Sequence, residues 1–328
     1  MRSMKKVSVI LLNWNSANTV FQCVESLRDQ TYRDTEFILV DNNSTDGSYA
    51  RLKEMPIFTR VIHHRENLGF ARGMNSGIEV AAGDYIIPLN TDVFLHPEFI
   101  AECVAGAENQ EGAGAVGGKI LAWVRGKRLE TIKNDEGGIT YFLKRFQGRA
   151  VPGSDRSCLV FRPAGSCPCL SASMLKDLKS VSGFYYDGKY GSGWEDIDLF
   201  FRMQLRGWKS VYIPTALAWH VGSGSVGGDE SLFTKPFEYQ VAVLRNRYFT
   251  MLKDIPSCAI SSLLLPILVM EAAITFYFAL FRPITWLARC LAIWETVRNL
   301  PVLLQDRSRI QSHRRISCLQ FKKLFHGF

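Results

Sequence analysis

The chain lacks the paired cysteine spacings that bind zinc. Its eight cysteines are scattered, and the closest two, Cys167 and Cys169, have one residue between them. It also lacks a cationic segment, a separate apolar segment and a cleavage site ahead of its first apolar run at Val7, so we expect no secretory signal peptide. The cysteines are therefore expected to be reduced thiols in a cytosolic setting.

Glycine-rich phosphate-binding loops are missing as well. No G-x-G-x-x-G run opens the first predicted helix, which disfavours a hydride-transfer enzyme of the Rossmann class. Residues 13–16 read Asn-Trp-Asn-Ser, where a sugar-phosphate nucleotidyltransferase would want a basic glycine-rich loop. No aromatic and basic motif accompanies the net charge of +8, so nucleic acid is not an expected partner.

The 328 residues, 47% of them hydrophobic, are enough for one large domain or two smaller ones. Apolar runs that favour strands alternate with helical stretches. The predicted strands cover residues 7–12, 36–40, 59–63, 85–89 and 208–213, and the predicted helices include 19–29 and 194–205. This alternation predicts an α/β fold, with a mostly parallel central sheet flanked by helices.

Four polar segments follow these apolar runs. They are VDNNSTDGS at 40–48, NLGFARGMNSG at 67–77, PLNTDV at 88–93 and GWEDIDLFFR at 193–202. Open α/β sheets bind ligands just outside the carboxyl ends of their strands, so segments placed in this way predict one shared crevice. We expect that crevice to bind a nucleotide-type ligand.

In order and spacing, the four segments resemble the inverting family 2 glycosyltransferases, over residues 7–250. The resemblance implies the GT-A nucleotide-diphospho-sugar transferase fold and transfer of a sugar by single displacement. Within that family the chain looks similar to bacterial rhamnosyltransferase-like enzymes of cell-surface glycan assembly. The implied donor is a nucleotide-diphospho-sugar, with rhamnose as the suggested sugar, and the implied acceptor is a polyprenyl-linked glycan.

The resemblance also implies a divalent metal, Mg²⁺ or Mn²⁺. Asp92 occupies the position of the metal-binding carboxylate in the family's Asp-X-Asp motif, and His220 falls where some members supply a further ligand. Asn90 replaces the first acidic residue, which removes one charge and leaves an amide that can bond ribose or water. The alternative for His220 is a buried histidine bonded to a backbone carbonyl.

The segment Glu195-Asp196-Ile197-Asp198 places three carboxylates within four residues. By resemblance, Asp196 is the general base, and Glu195 supports the acceptor or the ligands of the metal. Asp198 is expected to cap or orient the helix. Clustered like charges raise a carboxylate pKa toward the working pH, which suits a base. The alternative is an acidic first turn favoured by the helix dipole.

A nucleotide cradle is expected around the other polar segments. The resemblance assigns Asp41 to the nucleobase or ribose. Asn13, Asn67 and Gly69 would complete the cradle, and Arg72 is a candidate contact for the diphosphate. Each of these residues could instead serve ordinary turn chemistry. The glycine- and serine-rich residues 222–225 predict a mobile loop that closes over the diphosphate.

We expect residues 1–250 to form the GT-A domain, with a nucleotide-sugar half at 1–110 and an acceptor half at 111–250. Residues 251–328 are expected to form an apolar and basic helical segment. Its apolar run at 255–281 has Glu271 as its only charge and is long enough to cross a bilayer.

A single span would place the basic tail outside, against the positive-inside tendency. We therefore favour peripheral or monotopic helices on an anionic membrane surface, at the cytoplasmic face of the inner membrane. The alternatives are a single span and a helix that closes the soluble domain or a dimer interface. For the whole protein, the alternatives are a non-catalytic binding module for sugar nucleotides or glycans, and a soluble transferase with another acceptor.

Overall fold

The computed structural model of the protein describes residues 4–124, 127–132, 138–139, 146–147, 155–222 and 232–324. The strands within these residues are β1 (Val7–Asn13), β2 (Thr35–Asp41), β3 (Phe58–His63), β4 (Tyr85–Asn90), β5 (Val93–Leu95), β6 (Ala113–Val124), β7 (Lys127–Ile132), β8 (Gly138–Ile139), β9 (Phe146–Gln147), β10 (Cys158–Val160), β11 (Cys169–Ser171) and β12 (Lys209–His220).

The helices are α1 (Val20–Arg28), α2 (Ser48–Leu52), α3 (Gly69–Val80), α4 (Phe99–Asn109), α5 (Ala172–Ser182), α6 (Glu195–Leu205), α7 (Phe237–Asp254), α8 (Ser257–Phe281), α9 (Pro283–Arg298), α10 (Leu300–Ser312) and α11 (Cys318–Lys322). A short 3₁₀ helix covers Leu232–Thr234. The strands and helices predicted from the sequence are therefore present, and most of their ends lie within a few residues of the predicted ends.

The main sheet has the strand order β10-β12-β6-β11-β4-β1-β2-β3. Strands β1 to β4 pair in parallel, with β1 between β2 and β4, and β6 is parallel to β12. Strand β11 is antiparallel to both of its neighbours, β4 and β6. The chain connects β1 to neighbours on its two sides, so the carboxyl end of β1 lies at a topological switch point, where such sheets bind ligands.

Successive side chains of a strand point to opposite faces of the sheet, and helices cover both faces. In β1, Val9 and Leu11 pack on the face covered by α1 and α4, while Ile10 packs on the face covered by α3, α5 and α6. The covering helices present apolar stripes, such as the buried Cys23, Val24 and Leu27 of α1. This three-layer α/β packing is the expected fold class.

The C-terminal helices form a further layer beside α6. Helix α7 packs against α6, α9 and α10, and α11 packs against α8. Large apolar side chains are exposed on α8 and α9, including Leu265 at 71% and Phe281 at 64%. Within the described residues, none of the helices combines the length and the apolar character needed to cross a membrane.

The expectation that every cysteine is a free thiol is wrong for one pair. Cys258, near the start of α8, and Cys318, at the start of α11, form a disulfide with their Cα atoms 6.3 Å apart. Packing of α11 on α8 brings the two thiols within bridging distance although 60 residues separate them in sequence. Cys167 and Cys169 are both buried.

Candidate functional site

Asp92 and His220 meet at the carboxyl edge of the sheet. Strand β12 continues past the predicted end at residue 213, through an irregularity between Ile213 and Leu217, and its last residue pairs with Val93 of β5. His220 Nε2 then lies 3.2 Å from Asp92 Oδ2. The partner of His220 is therefore a carboxylate, which distinguishes it from the alternative of a histidine bonded to a backbone carbonyl.

This pair can supply one oxygen and one nitrogen ligand to a divalent cation. No group of three His, Cys, Asp or Glu side chains suited to a metal occurs among the described residues. A cation held here would therefore take its remaining ligands from phosphate oxygens and water, as Mg²⁺ commonly does beside nucleotide phosphates. The donor set fits such a shared site.

Asp41, at the end of β2, is completely buried. Its carboxylate accepts hydrogen bonds from Asn13 Nδ2 at 2.7 Å and from the Ser44 backbone N–H at 3.0 Å and hydroxyl at 2.6 Å. His63 Nδ1 lies 3.1 Å from Oδ2, the carboxylate oxygen that also accepts the Ser44 N–H. Asp41 therefore holds the ends of β1 and β3 and the turn after β2 in one arrangement.

Two features of this crevice were missed by the sequence reasoning. The rings of His63 and Tyr49 stack with centroids 4.2 Å apart, and the pairing arises only when β3 and α2 pack together. The side-chain oxygens of Asn13 and Asn42 are buried and have no hydrogen-bond partner within the described residues. Both are acceptors that a bound ligand could satisfy.

The segment at 67–77 contacts the loop that precedes the acidic cluster. Asn67 Oδ1 accepts the Gly69 N–H at 2.8 Å, and the Ala71 N–H donates to the Gly191 carbonyl at 2.9 Å. A Cβ on Gly69, where φ is +75°, would stand 3.1 Å from Gly191. Arg72 is exposed and its stem packs against Gly188. The predicted nucleotide segment and the acidic segment are therefore neighbours.

Asn90 lies at the end of β4, next to the strand that ends at Asn13. Its backbone N–H donates to the Ser166 carbonyl at 3.0 Å, and its side chain is half-buried. Asn13, Asp41 and Asn90 are thus brought to adjacent strand ends, as expected for parallel strands.

The three carboxylates of α6 lie in different environments. The Asp196 side chain is 23% exposed, and Arg162 Nη1 lies 3.8 Å from its Oδ2. A Cβ on Gly165 would stand 2.2 Å from the same oxygen, so only glycine leaves room for this carboxylate. Asp198 is completely buried between Arg202 and Lys253, at 2.7 Å from each. Of these two aspartates, Asp196 is the one that a substrate can reach.

Glu195 is buried beside Asp196. Burial, together with the neighbouring charge of Asp196, raises the pKa of Glu195 from its ordinary value of 4.5 to about 8. Its Oε2 has no hydrogen-bond partner within the described part of the chain. Glu195 is therefore protonated near neutral pH and can donate a hydrogen bond.

Helix α7 holds the loop before α6 in place, which the sequence reasoning also missed. Asn246 is completely buried, and its Nδ2 donates to the carbonyls of Tyr190 at 2.8 Å and Gly193 at 2.6 Å. Trp194, which follows, has a φ of +71°, an uncommon value for a residue with a side chain. Two turns further along α7, Lys253 pairs with Asp187 and Asp198. A buried polar residue on a neighbouring helix thus fixes the loop that presents the acids.

Known glycosyltransferases are similar to this chain in sequence. Residues 8–163 match the family model described as glycosyl transferase family 2. An N-acetylglucosaminyl-diphospho-decaprenol L-rhamnosyltransferase of Mycobacterium tuberculosis is 27% identical over 67% of this chain and 78% of that protein. Other curated glycosyltransferases, of Haemophilus influenzae, Bacillus subtilis and Streptococcus pneumoniae, are matched over only 35%, 49% and 38% of their own lengths.

Solved structures share the fold at low sequence identity. The crystal structure of Staphylococcus aureus TarS 1–349 superposes with a TM-score of 0.58 at 15% identity, covering 94% of this chain and 88% of that one. The mannosyltransferase PcManGT of Pyrobaculum calidifontis, in complex with GDP-Man and Mn²⁺, superposes with a TM-score of 0.53 at 15% identity, covering 98% and 83%. Residues 8–163 therefore form a domain similar to glycosyl transferase family 2, and the fold of the chain is GT-A-like.

Proposed function

We propose that the protein transfers a sugar from a nucleotide-diphospho-sugar to a lipid-linked glycan, by single displacement with inversion. The observation that carries this proposal is the contact between the 67–77 segment and the 187–194 loop, made through the Ala71 to Gly191 hydrogen bond. That contact brings the accessible carboxylate of Asp196 beside the segment expected to hold the donor.

In this mechanism Asp196 takes the proton of the acceptor hydroxyl. Arg162 lies 3.8 Å from the carboxylate and stabilises its charged form. Glu195, neutral near pH 7, adds no second charge and can donate a hydrogen bond to the acceptor. Because the base and the leaving group lie on opposite sides of the reacting carbon, the configuration inverts and no covalent sugar intermediate forms.

The donor would be held at the ends of β1, β2 and β4. Asp41 would act by fixing Asn13 and the turn at 42–48 around the nucleoside, and Asn67, Gly69 and Asn90 would complete this cradle. Arg72 would contact the diphosphate. Asp92 and His220 would hold a divalent cation, Mg²⁺ or Mn²⁺, which would neutralise charge on the departing nucleoside diphosphate.

The lipid-linked acceptor and rhamnose are supported by the mycobacterial relative, which is an N-acetylglucosaminyl-diphospho-decaprenol L-rhamnosyltransferase. A bacterial role in cell-surface polysaccharide assembly would follow from such an acceptor. The proposed acceptor half extends from residue 111 to 250, and part of it lies outside the described residues, as does most of the predicted loop at 222–225.

We also propose that helices α8 to α11 bind an anionic membrane surface at the cytoplasmic face, as a peripheral or monotopic layer. Exposed apolar side chains of α8 and α9 would enter the lipid. The three carboxylates between 255 and 324, Glu271, Glu295 and Asp306, are all paired with buried or half-buried cations. The exposed charge of this layer is therefore basic, which favours anionic lipid over a second copy of the same basic surface.

This layer corresponds to the proposed segment 251–328. Helix α7 crosses residue 250 and ends at Asp254, so the division falls most naturally after that helix.

Release of nucleoside diphosphate tests the transfer. Purified protein is incubated with a panel of nucleotide sugars, Mg²⁺ or Mn²⁺ and a membrane-lipid extract. We expect release from one donor, its loss in Asp196→Asn and its retention in Asp29→Asn, which changes an exposed aspartate at the end of α1. Equal release by wild type and Asp196→Asn would remove Asp196 as the base. Metal-dependent nucleotide binding without any release would favour the non-catalytic binding module.

Flotation with phosphatidylglycerol or phosphatidylcholine vesicles tests the membrane layer. We expect wild type to float with the anionic vesicles and Leu265→Ser with Phe281→Ser to weaken flotation. Val61→Ser is the matched control, since Val61 is 41% exposed on β3, the strand at the opposite end of the sheet from β10. Equal flotation of all variants, or formation of dimers lost in the double variant, would contradict a lipid-binding role.

A further inference from the structure

Arg289 of α9 is a buried guanidinium with unused hydrogen-bond donors. Its side chain is only 4% exposed, and its Nη2 pairs with Glu271 Oε2 of α8 at 2.5 Å. Its Nε and Nη1 are buried without a partner within the described residues. Buried donors of a charged group are costly to leave unpaired, so this arrangement indicates that an acceptor is missing.

A second guanidinium shares the same carboxylate. Arg247 Nη2 of α7 lies 2.6 Å from Glu271 Oε1. The Tyr248 hydroxyl also donates to Glu271, at 3.0 Å. Two cations thus face one anion between α7, α8 and α9, which leaves one positive charge without a counterion in this group. A buried excess charge of this kind is stabilised by a further anion.

The position of the group relates it to the proposed acceptor. Val243 contacts Gly193 in the loop before the acids, and Arg247 follows on the same face of α7, about 6 Å along the helix. On its other side lie α8 and α9, whose exposed apolar side chains form the proposed lipid-binding layer. The two arginines therefore lie between the acidic loop and that layer.

We propose that Arg247 and Arg289 bind a phosphate group carried by a lipid, with the diphosphate of an isoprenoid-linked acceptor as the ligand that best fits their position. Guanidinium groups donate strong, charge-assisted hydrogen bonds to phosphate oxygens, and the unused Nε–H and Nη1–H donors of Arg289 remain for such bonds. This inference rests on the proposed transfer to a lipid-linked acceptor, because that function places a diphosphate next to the reacting sugar.

Binding of farnesyl diphosphate, compared with farnesol, tests this site without requiring transfer. We expect wild type to bind farnesyl diphosphate, and Arg289→Gln and Arg247→Gln to weaken binding about tenfold. Arg298→Gln is the matched control, since Arg298 is an exposed arginine of the same helical layer. Glu271→Gln should instead strengthen binding, because its carboxylate competes with phosphate for both guanidiniums.

A phosphate site predicts weaker binding in the two arginine variants and stronger binding in Glu271→Gln. A purely structural ion pair predicts instead that all three variants lower stability and binding alike. Arg289→Lys, which keeps the charge but loses the planar guanidinium and its Nε–H donor, should show a partial loss. Competition by phosphatidylglycerol vesicles that depends on Arg289 would identify the phospholipid headgroup as the source of the phosphate. Equal binding by wild type, both arginine variants and Arg298→Gln would overturn the inference. A protein that binds the probe but transfers no sugar would contradict the proposed function alone.

Discussion

Replacement of Glu195 by glutamine should stabilise the protein, in a manner that depends on pH. Glutamine has nearly the same shape as glutamic acid but cannot ionise. Glu195 is buried beside Asp196, and its Oε2 has no hydrogen-bond partner within the described residues. Its ionised form is therefore disfavoured in the folded protein and favoured in the unfolded chain, where water solvates it.

The magnitude follows from the two pKa values of Glu195. Below about pH 4.5 the group is protonated in both states, and the substitution should change the free energy of unfolding little. Between 4.5 and about 8 the folded state binds more protons than the unfolded state, so the stability of the wild type falls as pH rises. Above about 8 the full penalty applies, which is about 5 kcal/mol at about 1.4 kcal/mol per pKa unit.

This value is an upper limit, because part of the rise in pKa comes from the charge of Asp196. Urea unfolding at about pH 4, 7 and 9 would measure it, with the stability of Glu195→Gln exceeding that of wild type by an increasing amount. Glu111→Gln, in an exposed turn, controls for the substitution itself. A difference between Glu195→Gln and wild type that stays constant over this range would refute a buried, protonated Glu195.

Three further substitutions test the support of the acidic loop. Gly165→Ala should lower sugar transfer about tenfold or more at nearly unchanged melting temperature, because its Cβ would displace the Asp196 carboxylate; activity retained in full would contradict this. Asn246→Ala should cost about 2 kcal/mol of loop stability at roughly 1 kcal/mol per lost hydrogen bond, and steady-state kinetics should show a fall in kcat. Lys253→Met should destabilise by about 3–5 kcal/mol in urea unfolding, since it removes one of the two cations that face each of the buried Asp187 and Asp198; a loss below 1 kcal/mol, taken as roughly the limit for a surface pair, would argue against it.

Local patterns were sufficient to predict much of the fold. The apolar runs at 7–12, 36–40 and 85–89 are parallel strands in the structure and are largely buried, as strands covered on both faces must be. Residues 59–63 also form a parallel strand, but it lies at the edge of the sheet and is mostly exposed. The helix predicted at 194–205 begins at Glu195 for a local reason as well. The preceding Gly191, Gly193 and Trp194 have left-handed backbone angles, which are incompatible with an extension of the helix toward its N-terminus.

Other parts of the site depend on contacts between distant segments. The strand predicted to end at 213 continues to His220, because β12 bends past its irregularity and pairs with β5, which brings the imidazole to Asp92. No local pattern in the sequence encodes that register. The disulfide between Cys258 and Cys318 likewise depends on the packing of two helices.

The sequence by itself determined which residue types stand at the strand ends and at the start of α6, because these positions follow from short-range periodicity. Only the tertiary structure decided how the carboxylates differ. Asp41 and Asp198 are enclosed by hydrogen-bond donors and cations, Asp196 stays accessible, and Glu195 is desolvated without a cationic partner within the described residues. Burial and the identity of nearby charges set the protonation of a carboxylate, and both are properties of the packed chain.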